Sequence, residues 1–430
     1  MPTLHRFHGL TTKSHFFTVP LDHSKPNGET LNVFGREVVA TARENDALPW
    51  LVFLQGGPGF GAPRPEGSNG WLKRALQEYR VLLLDQRGTG LSTPVTHQTL
   101  ARFTSPADMA DYLKHFRADA IVQDAELIRK QLAGEQTRWS VLGQSYGGFC
   151  AVHYLSAAPQ SLSEVYITGG LPSLQRPAED VYRATYQRVK DKNNLFYTRY
   201  PDDEERAQEI VKTLASQIVT LPGGGTLSPR RFQQLGLGFG ASNGFEELHY
   251  LLEDALVNGV RGPELSFAFL RGVENSQSFD TNPIFAILHE SIYCQEAASS
   301  WSAERVRSEY PDFELDPDQR VIFTGEMIYP WMFEEYINLR PLKEAAQLLA
   351  EYDGWPRLYD IPTLQDNTVP CAAAVYYNDM YVERQYSEET ARTIRGIKTW
   401  VTSEYEHNAL RADGEKVLGH LMALLRGEIH

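Results

Sequence analysis

The chain reads as an α/β protein, a mostly parallel, doubly wound sheet interrupted by an inserted, mainly helical cap. Three observations predict this. The apolar runs Trp50–Leu54, Arg80–Leu84 and 165–168 lack polar alternation, as strands covered on both faces do. Helix-period segments fall between such runs, and the alternation of the two patterns is the signature of a parallel sheet. From about Pro172 the texture changes to polar helices and Gly/Phe-rich sequence, and strand character returns only near Pro370.

Taken in order, residues 16–20 and 31–40 read as an opening pair of strands, broken by the turn-rich stretch 22–28. Trp50–Leu54 and Arg80–Leu84 follow as buried strands. Over 118–132 the apolar positions Ile121, Ala125, Ile128 and Leu132 recur at helical spacing and line one face. A short strand at 139–142 leads into a helix that carries Phe149, Cys150, Val152, His153 and Leu155, and 165–168 supplies the next strand. Polar helices are predicted at 183–192 and 204–216, a turn at 222–225, and no strand alternation anywhere in the aromatic-rich region up to Trp331. Strands return at 370–377 and 397–401, and Val417, Leu418, Leu421, Leu424 and Leu425 mark a closing amphipathic helix. The predicted division is core 1–172, cap 173–345 and core 346–430.

Composition narrows the function classes. Of 430 residues 42% are hydrophobic and 22% charged, the profile of an ordered globular chain. The formal net charge of −14 repels phosphate backbones and anionic lipid, so neither nucleic acid nor membrane is an expected partner. The three cysteines, Cys150, Cys294 and Cys371, form no disulfide framework or metal cluster, which points to a reducing, cytoplasmic setting. Residues 1–20 lack the apolar core of a signal peptide, and no run approaches the ~20 apolar residues that span a bilayer.

Between the strand at 139–142 and the following helix lies Gly143-Gln144-Ser145-Tyr146-Gly147, which fits the G-x-S-x-G nucleophile elbow. Taken alone the motif is also an ordinary Gly/Ser turn. Its chemistry requires a base, an acid that orients the base, and donors for an oxyanion, with nucleophile, acid and histidine in that chain order. His407, His420 and His430 lie beyond the strand at 370–377. His407 sits in a loop just after the last strand, whereas His420 falls inside the closing helix and His430 is terminal. Asp379 follows the 370–377 strand directly and is the candidate acid, with Glu383 a less favoured substitute. The backbone N–H groups of Tyr146 and Gly57 are the candidate oxyanion donors, the latter from the loop Gln55-Gly56-Gly57-Pro58-Gly59. No ligand spacing such as HExxH is present, so neither a metal nor another cofactor is expected.

Three segments in order, Gln55-Gly-Gly-Pro-Gly59, Asp85-Gln86-Arg87-Gly88 and Gly143-Gln-Ser-Tyr-Gly-Gly148, resemble the longer-chain members of the proline iminopeptidase family of α/β-hydrolases. The resemblance covers about 16–170 and 370–425 and is thinner across the cap. Gln55 stands where an HGGPG-type loop has histidine, which leaves the backbone donor intact. By charge alone, Asp85 and Arg87 are a candidate ion pair bracing the oxyanion loop. The resemblance implies release of N-terminal proline, or a similar small residue, from short peptides with a free N-terminus. It further implies that cap carboxylates hold the substrate's ammonium group. His289-Glu290-Ser291-Ile292-Tyr293-Cys294 resembles the matching cap motif, making Glu290 the main anchor and Glu326 the second. Apart from the resemblance, Cys294 reads first as a buried, inert thiol and second as one lining the cap pocket beside Glu290. An esterase or amide hydrolase of the same fold, or a non-catalytic binding protein on this scaffold, are the alternatives.

Overall fold

A computed structural model describes residues 3–260, 262–316 and 318–429. The chain opens with strands β1 (Leu4–Phe7), β2 (Leu10–Pro20) and β3 (Thr30–Ala40), followed by β4 (Trp50–Leu54), β5 (Arg80–Leu84), β6 (Trp139–Gln144) and β7 (Leu162–Thr168). The region after β7 contains two small hairpins, β8 (Val219–Thr220) with β9 (Thr226–Leu227) and β10 (Leu256–Gly259) with β11 (Gly262–Leu265). Strands β12 (Cys371–Tyr376) and β13 (Lys398–Thr402) close the list.

Nine strands form one sheet in the order β1-β2-β3-β5-β4-β6-β7-β12-β13. The first three pair antiparallel, β3 also meets β5 antiparallel, and every pairing from β5 to β13 is parallel. Alternate side chains of each inner strand enter different cores. Leu51 and Phe53 of β4 join one cluster with Val81, Leu83, Trp71 and Leu418, while Val52 and Leu54 join the other with Leu82, Val141 and Val165. Burial on both faces is why these strands are continuous apolar runs rather than alternating ones.

β12 pairs directly with β7, so everything between Thr168 and Cys371 is an excursion from the sheet. It holds the long helix Ala178–Arg199, the helix Asp203–Ser216, shorter helices, and the two hairpins. The expectation that this region has no strands is corrected by those hairpins, whose two- to four-residue strands are too short to show a period. At the other end of the chain, β2 starts six residues before the expected 16–20 segment, and β1 was not anticipated. Thr11 and Thr12 are buried there, and the Thr11 hydroxyl is held by Glu44 and Thr41. Hydrogen bonding accommodates the buried Thr11 hydroxyl where an apolar criterion finds no strand.

Candidate active site

The parallel strands end on one edge of the sheet, and the predicted catalytic residues sit on loops leaving that edge. Ser145 lies between β6 and the helix Tyr146–Ala157 at φ 55°, ψ −125°, a conformation L-residues rarely adopt. The strain is held from several sides. Ser145 N–H donates to the Thr168 carbonyl at 2.9 Å, and its own carbonyl accepts from Gly148 at 2.7 Å. A Cβ on Gly147 would lie 1.9 Å from the Leu54 carbonyl oxygen, so only glycine lets the elbow pack against the end of β4.

The same packing brings the oxyanion loop alongside. A Cβ built on Gly56 would stand 2.8 Å from Ser145 Cβ, which places Gly56-Gly57 next to the serine side chain. The Gly57–Pro58 peptide is cis. Tyr146 opens its helix, so its N–H has no intrahelical acceptor and remains available to an anion. Gln86 Nε2 donates to the Gln55 carbonyl at 3.0 Å and braces the loop. The expected Asp85–Arg87 ion pair is not formed. Asp85 is bound by Arg64 at 2.5 and 2.8 Å and accepts from Ala62 and Leu91 N–H. Arg87 is bidentate to Asp124 at 2.5 and 2.7 Å and donates to the carbonyls of Pro20, Leu21 and His115. Each charge found a partner remote in sequence.

Asp379 and His407 meet at 2.6 Å through Oδ2 and Nδ1, and both are buried. The other carboxylate oxygen, Oδ1, accepts from the backbone N–H groups of Tyr381 and Val382 at 2.9 and 3.1 Å, which fixes its direction. Glu383 is engaged elsewhere, in a bidentate pair with Arg188 at 2.7 and 2.9 Å. His407 packs edge-on against Tyr381, and its backbone N–H reaches the cap, donating to the Gly240 carbonyl at 3.2 Å. His420, in the closing helix, instead stacks on Trp400 of β13, and His430 lies outside the described residues. The turn after β7 joins the halves of the site. A Cβ on Gly170 would be 2.4 Å from the Ser145 carbonyl oxygen, and one on the preceding Gly169 would be 3.1 Å from His407 Nδ1. Burial disfavours the imidazolium of His407, but the charge and hydrogen bond of Asp379 and the more distant charge of Glu326 outweigh it, so its pKa is raised.

The cap segment carrying Pro283–Ile287 and the 3₁₀ turn Glu290–Tyr293 lies over this edge. Phe285 meets Phe60 of the oxyanion loop with ring centroids 5.2 Å apart, and Tyr293 meets Phe149, four residues after the serine, at 6.0 Å. Glu290 spends both oxygens on backbone N–H groups, Oε1 on Ala303 at 2.9 Å and Oε2 on Ser302 at 3.1 Å, at the start of the helix Ser302–Arg307. Burial pushes its carboxyl pKa up against the lowering effect of those bonds. Glu326 is different. Its side chain is 17% exposed, it contacts His289 Nε2 at 3.3 Å, and its charge is felt by His407, Tyr381, Tyr293 and Tyr182. Cys294 is buried, its thiol pushed up to about 12 by burial, and Sγ contacts the Glu290 carbonyl at 3.5 Å. The residues that sequence reasoning passed over are Phe60, Phe285, His289, Tyr293 and Tyr381. His289 and Tyr293 lie inside the cap motif already singled out, where only the carboxylate was weighed.

Residues 49–210 match the family described as alpha/beta hydrolase fold. Over 419 residues the chain is 55% identical to the proline iminopeptidase of Aeromonas sobria, covering 97% of each chain. It is 38% identical to the proline iminopeptidase aneH of Aspergillus aculeatus, covering 96% of this chain and 93% of that one. Against the shorter stretch shared with the proline iminopeptidase of Xylella fastidiosa, identity is 33% over 28% of this chain and 31% of that protein. The chain therefore belongs to the proline iminopeptidase family of α/β-hydrolases.

Proposed function

We propose that the protein is a serine exopeptidase that releases N-terminal proline, or a similar small residue, from short peptides with a free N-terminus. One observation carries this beyond generic hydrolysis. A partly exposed cap carboxylate, Glu326, lies close enough to the catalytic imidazole for its charge to act on it. A negative charge on the cap side of the catalytic imidazole has no use in hydrolysis of a neutral ester. It suits an ammonium group one residue from the scissile bond.

Asp379 holds His407 through Nδ1 and leaves Nε2 to take the Ser145 proton. Ser145 Oγ attacks the carbonyl of the N-terminal residue, and the N–H groups of Gly57 and Tyr146 receive the developing oxyanion. His407 then gives its proton to the leaving amine. Water enters, repeats the proton transfers and frees the acyl residue. Where the cap meets the elbow, Phe285 packs on Phe60 and Tyr293 on Phe149, and aromatic rings of this kind suit a pyrrolidine ring. In this reading the order suggested by the motif is reversed. Glu326 makes the direct amine contact, and Glu290, whose oxygens are already bonded, adds negative potential from behind the same pair of tyrosines.

Three buried free thiols suit a reducing compartment, and we place the protein in the cytoplasm. Among the described residues no helix is long and apolar enough to cross a membrane. The reading is tested by steady-state kinetics on prolyl-naphthylamide and its N-acetyl form. The free substrate should be turned over and the blocked one should not; comparable turnover of both would reject the aminopeptidase in favour of an amide hydrolase.

A further inference from the structure

Glu326 stands in an irregular stretch of the cap, and among the described residues its carboxylate has one polar side-chain neighbour, His289 Nε2 at 3.3 Å. That histidine is built in firmly. It is 1% exposed, its ring lies edge-on to Phe285 at 5.6 Å and to Tyr293 at 5.9 Å, and Nδ1 is 3.2 Å from Tyr182 Oη. Tyr182 comes from the long helix Ala178–Arg199 and is itself 1% exposed. Its phenol keeps its proton, because burial and the nearby charge of Glu290 oppose ionisation. Among the described residues Nδ1 is the acceptor available to that proton. A ring that accepts at Nδ1 carries its own proton on Nε2. Yet Nε2 is a buried nitrogen with no hydrogen-bond partner among the described residues, close to Glu326 Oε2 but outside hydrogen-bonding alignment. An unsatisfied buried donor facing a half-free carboxylate is a feature to be explained.

We propose that His289 is a positioning residue for substrate recognition: Tyr182 fixes its tautomer, and its Nε2–H holds one oxygen of Glu326 so that the other is presented to the substrate's ammonium. The inference rests on the reading of Glu326 as the amine anchor. A small rotation of the Glu326 side chain brings Oε2 into line with that N–H. The choice of imidazole has a physical reason. Lysine or arginine at this place would neutralise Glu326 and compete with the substrate, whereas a neutral imidazole orients the carboxylate and leaves its charge intact. Fixing the anchor in advance also spares the side-chain ordering that binding would otherwise cost.

The test compares prolyl-naphthylamide with 4-nitrophenyl cyclopentanecarboxylate, which keeps the ring and lacks the amine. His289→Phe should raise KM for the naphthylamide about tenfold or more, with kcat and the ester rate within about threefold of wild type. His289→Gln, whose amide N–H reaches toward the place of Nε2, should recover most of the loss, and Tyr182→Phe should give a smaller rise of the same kind. Equal losses on both substrates, an unchanged KM in His289→Phe, or a glutamine variant no better than phenylalanine would each overturn the positioning role. Glu326→Gln separates the two levels. If it lowers activity on the naphthylamide alone while His289→Phe does not, the anchor stands and only the positioning role is lost; if it spares the naphthylamide, both are lost.

Discussion

The sheet edge and the cap build their parts of the site in opposite ways. Ser145, Asp379 and His407 each leave the end of a strand or its loop, and each is tied by backbone hydrogen bonds that leave little freedom. The cap offers Glu326 from an irregular stretch, where among the described residues its carboxylate has one polar side-chain neighbour, at 3.3 Å. In the proposed reading, chemistry that must hold atoms in line sits on loops tied closely to the sheet, while recognition of a charge, which tolerates looser geometry, falls to a cap segment with fewer ties. The difference predicts that changes on the sheet edge abolish turnover on every substrate, whereas changes in the cap redistribute it among substrates.

The largest expected effects test the rigid half. Ser145→Ala should lower kcat by about 10⁴-fold or more, with circular dichroism and the unfolding midpoint unchanged, and Asp379→Asn should cost about 10⁴-fold because the imidazole loses its orienting acceptor. A pure Ser145→Ala protein with near-normal turnover would remove the serine from the mechanism. Next comes the cap. Glu326→Gln should lower kcat/KM for prolyl-naphthylamide by about 10²-fold, as expected for removing a charged partner from a largely desolvated pair, and leave an uncharged ester within about threefold.

Smaller effects sharpen the contrast between the two carboxylates. Glu290→Gln removes the charged acceptor at the start of the helix Ser302–Arg307, so it should lower the unfolding midpoint by about 1–3 °C. Its effect on kcat/KM should be smaller than that of Glu326→Gln; the opposite ranking would restore Glu290 as the direct anchor. The pH profile gives the finest test. The base must be neutral, and the pKa of His407 is raised, so the acid limb of kcat/KM should lie above the ordinary imidazole value of about 6.5. Glu326→Gln removes one of the charges that raise it and should move the limb to lower pH. Unfolding does not mimic this limb. A raised folded-state pKa makes the His407 contribution to stability fully present below the unfolded value and lost as pH rises through the folded one.

Much of the rigid half was legible in the sequence because its constraints are local. Continuous apolar runs marked strands covered on both faces, and the order of Ser145, Asp379 and His407 followed the order of strand ends. The pairing of Asp85 with Arg64 and of Arg87 with Asp124 was not legible, because proximity in sequence says nothing about which remote charge the fold delivers. The ranking of the cap carboxylates was hidden for the same reason. Glu290 belongs to the recognisable motif, but the helix that begins at Ser302 occupies both its oxygens, and only the folded chain reveals that engagement. The hairpins of the cap and the polar half of β2 escaped because their strands are too short or too hydrophilic to carry an apolar period.

The central claim is that the sheet edge cuts and Glu326 selects the charged amine. It is tested most directly by the ratio of kcat/KM for free prolyl-naphthylamide to that for its N-acetyl form, measured in the wild-type protein and in Glu326→Gln. A ratio that falls by about 10²-fold in the variant is the predicted result. A ratio unchanged between the two proteins would contradict it and return the amine contact to another part of the cap.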